Sequence, residues 1–230
     1  MILCIETATN TCSVALCDNK GTVALRESSQ EKSHASSLSL FIMELLEEKK
    51  IKAADLDAVA VSMGPGSYTG LRIGVSVAKG IAYGSKIPLV AVNTLESMYH
   101  GITNKGIEDD IDLLCPVIDA RRMEVYSALF DREGNRVKET GAEVIDENSY
   151  SVLLKKKKIL FFGTGAEKCR EAIKNPNAYF DMEMLISASS MRIPALKAVA
   201  EKSFADVAYF EPFYLKDFIA TIPRKNLLKG

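Results

Sequence analysis

The stretch Gly64–Gly74, GPGSYTGLRIG, constrains this chain more than any other. It follows an apolar run, Ala58-Val59-Ala60-Val61, with the character of a buried strand, and leads into a helical segment from Thr69 to Gly84. Strand, glycine turn and helix together let backbone approach a neighbour closely. Ser67 and Thr69 are both suited to cap the helix by accepting its free N–H groups. Gly70, Gly74, Ala78 and Ala82 recur every fourth residue, with Gly80 and Gly84 beside them. An interior glycine costs a helix up to about 1 kcal/mol against alanine, so this pattern demands a packing reason. Two are open: a tight helix–sheet contact inside one domain, or a second subunit lying on the small-residue face.

Bulk properties narrow the classes. The chain has 230 residues, 47% apolar and 26% charged, with a net charge of −1 and a pI near 6.2. Such a balance gives no broad field for holding nucleic acid by phosphate neutralisation alone. Five cysteines (Cys4, Cys12, Cys17, Cys115 and Cys169) form no CxxC pair, which fits reduced thiols and a cytoplasmic setting. The run Met1–Ile5 meets Glu6 too early to be the core of a leader peptide, and no stretch reaches the ~20 apolar residues of a membrane span.

In chain order, strands are expected at Ile2–Glu6, Ser13–Asp18, Thr22–Ser28, Asp57–Met63 and Leu89–Val92, with a helix at Ser33–Lys50. The second half repeats the plan. Strands are expected at Leu114–Asp119, Glu124–Asp131, Arg136–Ile145, Ile159–Phe162 and Leu185–Ile186, and helices at Asn148–Lys156, Glu167–Lys174 and Ser189–Phe204. The repeat is visible in the letters: ALCDNKG at Ala15–Gly21 matches ALFDREG at Ala128–Gly134, and the same offset lays Glu6 on Asp119. Further along, Met63-Gly64-Pro65-Gly66 lies over Phe162-Gly163-Thr164-Gly165. Two duplicated α/β domains with mixed sheets flanked by helices, each with an acid at the end of its first strand, describe the actin-like, sugar-kinase and heat-shock ATPase architecture. The expected domains are 1–97 and 98–215, followed by a basic tail, 216–230.

In that architecture a nucleotide lies between the halves, held by glycine-bearing hairpins and a metal clamped by acids. Here the hairpins Glu6–Thr11 and Asp119–Glu124 contain no glycine, and without it backbone N–H groups do not easily cup a phosphate. Glu6, Thr7, Thr9, Asp119 and Arg121 therefore mark a vestigial nucleotide cleft, with Arg121 and Arg122 as alternative anion contacts. No catalytic residue is identified. His34 and His100 are the only histidines; His34 has Leu38 rather than a second imidazole four residues on, so no metal site is expected. Lys155–Lys158 reads as a solvated helix end, and Tyr209, Phe210, Phe213 and Tyr214 as an anchor for the chain end.

These residues bear a family resemblance. ILCIETAT at Ile2–Thr9, His34, GPGSYTGLRIG, AVNTLE at Ala91–Glu96, IDARRMEVY at Ile118–Tyr126 and EPFYLK at Glu211–Lys216 together resemble the bacterial TsaB (YeaZ) proteins. Glu6 departs from the aspartate of many members. The resemblance implies a non-catalytic dimerisation subunit of the machinery that makes N6-threonylcarbamoyladenosine in tRNA. It implies pairing through the first domain with the catalytic paralogue TsaD, which carries a metal-binding histidine pair, and with the ATPase TsaE. It also implies a homodimer when alone, indirect contact with tRNA, and no membrane partner. No tightly bound cofactor is expected, with ATP or ADP confined to the interface with TsaD. The small-residue helix and the resemblance meet in one expected subunit contact: His34, Leu38, Phe41, Leu71, Arg72, Gly74, Val75, Ala78, Lys79 and Ala82. The competing functions are a stand-alone kinase or ATPase of the same fold and a peptidase of the M22 type.

Overall fold

A computed structural model describes residues 1–29 and 34–216, with backbone alone at 34 and 35. The expected cap Ser33, the His34 side chain and the tail from Asp217 lie outside the described residues.

Among the described residues, ten strands form two five-stranded sheets of the same topology. In the first, β1 (Ile2–Glu6), β2 (Cys12–Cys17) and β3 (Thr22–Ser28) form an antiparallel meander, and β4 (Ala58–Gly64) and β5 (Leu89–Asn93) add in parallel on the far side of β1. In the second, β6 (Leu113–Asp119), β7 (Glu124–Asp131) and β8 (Arg136–Val144) form the meander, with β9 (Ile159–Phe162) and β10 (Ala178–Asp181) parallel to β6. The strand orders, 3-2-1-4-5 and 8-7-6-9-10, correspond strand for strand, so the letter repeat is a structural duplication. Gly64 and Gly163, matched in the repeat, both sit at the end of a fourth strand with φ of 115° and 104°, where a side chain would be strained.

The helices cover the sheets crosswise. One face of the first sheet packs on α1 (His34–Lys49) and α2 (Tyr68–Ser85), through Leu3, Ile5, Val59 and Val61 against Leu38, Leu45, Val75 and Ala78. Its other face receives chain from beyond the second sheet: the 3-10 turn Ala188–Met191 and α6 (Arg192–Ala200), with Met191 and Ala195 against Cys4, Ala60 and Val90. In return α3 (Thr94–Lys105), which follows β5, covers the second sheet with Leu95, Met98, Tyr99 and Ile102. A cut at residue 97 therefore falls inside α3. The opposite face of the second sheet carries α4 (Ser151–Leu154) and α5 (Ala166–Ala172).

Several local expectations are corrected. Leu185–Ile186 is not a strand; the fifth strand is β10, at Ala178–Asp181. The helix expected at Asn148–Lys156 is the single turn α4. Ser189–Phe204 divides into the 3-10 turn and α6, with Pro194 in the first turn, where its missing N–H costs nothing. α3 is an element that the sequence reading omits, although its signal is plain: Asn93 caps it, accepting from Leu95 N at 3.0 Å and Glu96 N at 3.2 Å, and its apolar residues fall at helical spacing.

Candidate functional site

The cleft acids sit at equivalent places and have opposite fates. Parallel pairing of Ile5 with Val61 sets Glu6 beside Ser62. Glu6 is fully buried; its Oε1 accepts from Ala8 N at 2.6 Å and Ser62 Oγ at 2.9 Å. Its Oε2 has no partner among the described residues. Loss of hydration outweighs those hydrogen bonds and pushes the carboxyl up to about 7.

The loop after Glu6 is closed by α2. Thr7 Oγ1 donates to Gly70 O at 2.8 Å, and Ser67 N donates to Ala8 O at 2.6 Å. A Cβ at Gly66 would collide with Ala8, and one at Gly70 or Gly74 with Thr7. Of the two expected caps, Ser67 holds the helix start, accepting from Gly70 N at 3.2 Å. Thr7, Ala8, Thr9 and Thr11 are all buried. Gly70 and Gly74 thus answer the packing demand within one chain, against the first hairpin, whereas Gly80 and Gly84 have nothing within 4 Å of a Cβ.

Most residues of the expected subunit contact lie inside the fold. Leu38, Leu71, Gly74, Val75, Ala78 and Ala82 are buried in the fold itself. Phe41 is half-buried, and Lys79 donates to Ala208 O at 3.2 Å and Phe210 O at 3.0 Å. Arg72 is exposed and reaches Tyr68 Oη at 2.8 Å. His34 begins α1. The outer side of α1 and α2 presents Leu40, Met43 and Tyr83 instead, which are 51%, 57% and 82% exposed.

At the second hairpin Asp119 is exposed. Its Oδ1 accepts from Arg121 N and from Lys168 Nζ, both at 2.6 Å, and its own N–H donates to Thr164 Oγ1 at 3.1 Å. Arg121 and Arg122 both adopt left-handed backbone, φ 69° and 50°, and both are exposed. Glu124, where β7 begins, pairs with Lys216, whose ammonium also lies over the Tyr126 ring. A buried acid with no countercharge and an exposed acid tied to a lysine do not fit the metal clamp of the fold family. Among the described residues no group of three His, Cys, Asp or Glu could hold a metal ion.

Lys216 ends a strap that crosses both halves. Ala205 bridges to Leu89, Phe213 N donates to Met63 O at 2.7 Å, and Tyr214 packs on Tyr68 with ring centres 4.8 Å apart. Phe210 and Tyr214 therefore anchor the chain end, whereas Tyr209 is 83% exposed. Lys157 and Lys158 of the lysine run pair with Asp112 and Asp110. His100 stands apart from either hairpin, its imidazole held below its ordinary range first by burial and then by Lys197. The five cysteines are buried and unpaired. No helix among the described residues is long and apolar enough to cross a membrane. Ser62 and Lys168 join the two hairpins without a motif to mark them, whereas Lys216 closes the EPFYLK stretch; the strand pairing of Glu6 with its neighbour was the one available signal for Ser62.

Comparison with known proteins places this geometry. Residues 23–224 match the family model described as "TsaD: tRNA N6-adenosine threonylcarbamoyltransferase". The tRNA threonylcarbamoyladenosine biosynthesis protein TsaB of Escherichia coli is 32% identical, with 95% of this chain and 96% of that protein aligned. Its Bacillus subtilis namesake is 30% identical over 94% and 93%. Among solved structures, YeaZ from Pseudomonas aeruginosa superposes with a TM-score of 0.78 at 25% identity, covering 93% of this chain and 99% of that one.

Proposed function

The chain belongs to the TsaB (YeaZ) family, and from that premise we propose that it is a non-catalytic scaffold subunit in the formation of threonylcarbamoyladenosine in tRNA. It pairs through its first half with a TsaD-like catalytic paralogue, is joined by a TsaE-like ATPase, and forms a homodimer when alone. The observation that carries the scaffold role is the state of the two cleft acids. Glu6 is sealed under α2 with its hairpin, and Asp119 is held by Lys168. Phosphoryl transfer needs acids free to hold a metal and backbone free to face the phosphates. Any ATP or ADP belongs to the interface with the catalytic subunit.

The pairing surface follows from what α1 and α2 leave outside. Leu40 and Met43 lie one turn apart on α1, and Tyr83 stands near the end of α2. Exposed apolar side chains on neighbouring helices are candidates for a partner's core contacts.

The test is co-purification with the TsaD-like subunit and measurement of threonylcarbamoyladenosine on tRNA, for the wild type and Leu40→Asp/Met43→Asp. Pairing and product are expected with wild type alone, with unchanged melting of the variant. ATP turnover by the isolated chain would overturn the scaffold reading and favour the stand-alone ATPase.

A further inference from the structure

We propose that the β6–β7 hairpin tip, Arg121-Arg122, is a phosphate-contacting site for structured RNA. The duplication supplies the internal comparison. In the first half the matching hairpin buries Thr7, Ala8, Thr9 and Thr11 and exposes Asn10, and α2, an 18-residue helix, lies on Thr7 and Ala8 with glycines at the contact. In the second half the corresponding helix α5 has 7 residues, and Arg121, Arg122 and Met123 are left in solvent. One copy of the hairpin is packing material; the other is presented.

What is presented carries unbalanced charge. Asp119 is paired with Lys168, and Glu124 with Lys216. Each acid of the hairpin thus has its own lysine, and the two guanidiniums at the tip are surplus. Neither makes a hydrogen bond or ion pair among the described residues. Their backbone is equally telling. Two successive left-handed residues stand in the three-residue loop between Ala120 and Glu124, a backbone that side chains other than glycine rarely adopt, so arginine there is held at a conformational cost. Among the described residues no hydrogen bond or ion pair of the two guanidiniums offsets that cost. The loop that carries the two consecutive arginines is short and tied at its base: Ala120 N donates to Glu124 O at 3.0 Å, and Asp119 Oδ1 anchors Arg121 N. Guanidinium forks match phosphate oxygens, and a rigid adjacent pair suits neighbouring phosphates of one strand. With a net charge of −1 the molecule has no general affinity for polyanions, so any contact must be local, as this one is. The choice of RNA rests on the proposed role in tRNA modification.

The test measures binding of an unmodified tRNA transcript by fluorescence anisotropy across a salt series. It uses the full chain alone and in complex with the TsaD-like subunit. Arg121→Gln/Arg122→Gln should weaken binding on the order of tenfold at low salt and flatten the log–log salt dependence by roughly 1.5, the loss of two phosphate contacts. Arg121→Lys/Arg122→Lys should keep most of the slope. Arg121→Gly/Arg122→Gly suits the turn better, so it should melt no lower than wild type yet bind as weakly as the glutamine variant. That pattern separates a contact from a structural role. Unchanged affinity and slope in the glutamine variant overturn the proposal, even where complex and product still form. Loss of pairing with the catalytic subunit at unchanged RNA affinity also overturns it, and marks the hairpin as a protein contact. Failure of wild type to pair at all would count against the scaffold reading, while anisotropy on the chain alone would still decide the role of the arginines.

Discussion

Glu6→Gln should make this protein more stable, and by an amount that depends on pH. The carboxyl is buried, no cation contacts it, and Oε2 has no partner among the described residues. In the unfolded chain it titrates near 4.5; in the folded chain burial raises it to about 7. Between these values the folded state keeps a proton that the unfolded state has released, so rising pH destabilises the fold. The loss is absent below about 4.5, grows through 7, and then levels off at roughly 3 kcal/mol, since each pKa unit is worth about 1.4 kcal/mol. Glutamine keeps the shape and an acceptor for Ala8 N and Ser62 Oγ but carries no charge. Its amide replaces an oxygen that already lacks a partner, so the variant should differ little from wild type at pH 4. By pH 8 it should gain roughly 3 kcal/mol, seen as a melting temperature higher by about 6–12 °C for a chain of this size. The comparison must be made as a difference at each pH. Asp110, Asp112 and Asp131, held low first by hydrogen bonds from Lys158 or Asn135, contribute stability that is lost as pH falls. Paired thermal or urea melts from pH 4 to pH 8 supply that difference. A difference that stays flat across the range would refute the reasoning, because it would mean that Glu6 ionises in the fold as freely as in water.

Glycine substitutions in α2 should sort by contact. Gly80→Ala, with nothing within 4 Å of its Cβ, should gain about 0.5–1 kcal/mol in urea unfolding. Gly70→Ala drives a methyl into the Thr7 carbonyl and should lose about 1–3 kcal/mol, less what alanine returns in helix propensity; equal stability of the two variants would contradict the close approach. A bulky residue at Gly74 should unfold the chain rather than merely dissociate a dimer, as circular dichroism would read. Lys79→Ala removes the two carbonyl contacts of the strap and should cost about 1 kcal/mol at this half-exposed site, with faster limited proteolysis between Ala205 and Lys216 as the check.

The duplicated plan was legible because its signals are local: apolar runs of strand length, turn residues, and paired letters at fixed offsets. β10 escaped because Ala178–Asp181 is short, half-buried throughout and without alternation. The direction of the α2 glycines escaped for another reason. A stripe of small residues states that something comes close, but the partner, Thr7 and Ala8, lies some sixty residues away and is brought there only by the pairing of β1 with β4. The same distance hid the state of Glu6. An acid at the end of a first strand reads as a cleft ligand, and only the arrival of α2 over its hairpin and of Ala188–Met191 on its sheet face turns it into a buried group.

The two halves share one plan, and their hairpins show where it was varied. Matched glycines approach both hairpins: Gly66 lies against Ala8, and Gly165 against Ile118 and Asp119. Beyond that point the halves diverge. α2 continues with Gly70 and Gly74 and lies down on Thr7, so a ligand reaching Glu6 would have to lift a packed helix that also holds the strap through Lys79 and Tyr68. α5 stops after two turns, and from it Lys168 reaches the Asp119 carboxylate. Reopening the first site would therefore require disrupting a section of the hydrophobic core, whereas the second is guarded by a partly exposed ion pair, worth about 0–1 kcal/mol. In the first half the hairpin is locked by the packing of α2. What chemical adaptability the fold retains lies at the second hairpin, where its two arginines are.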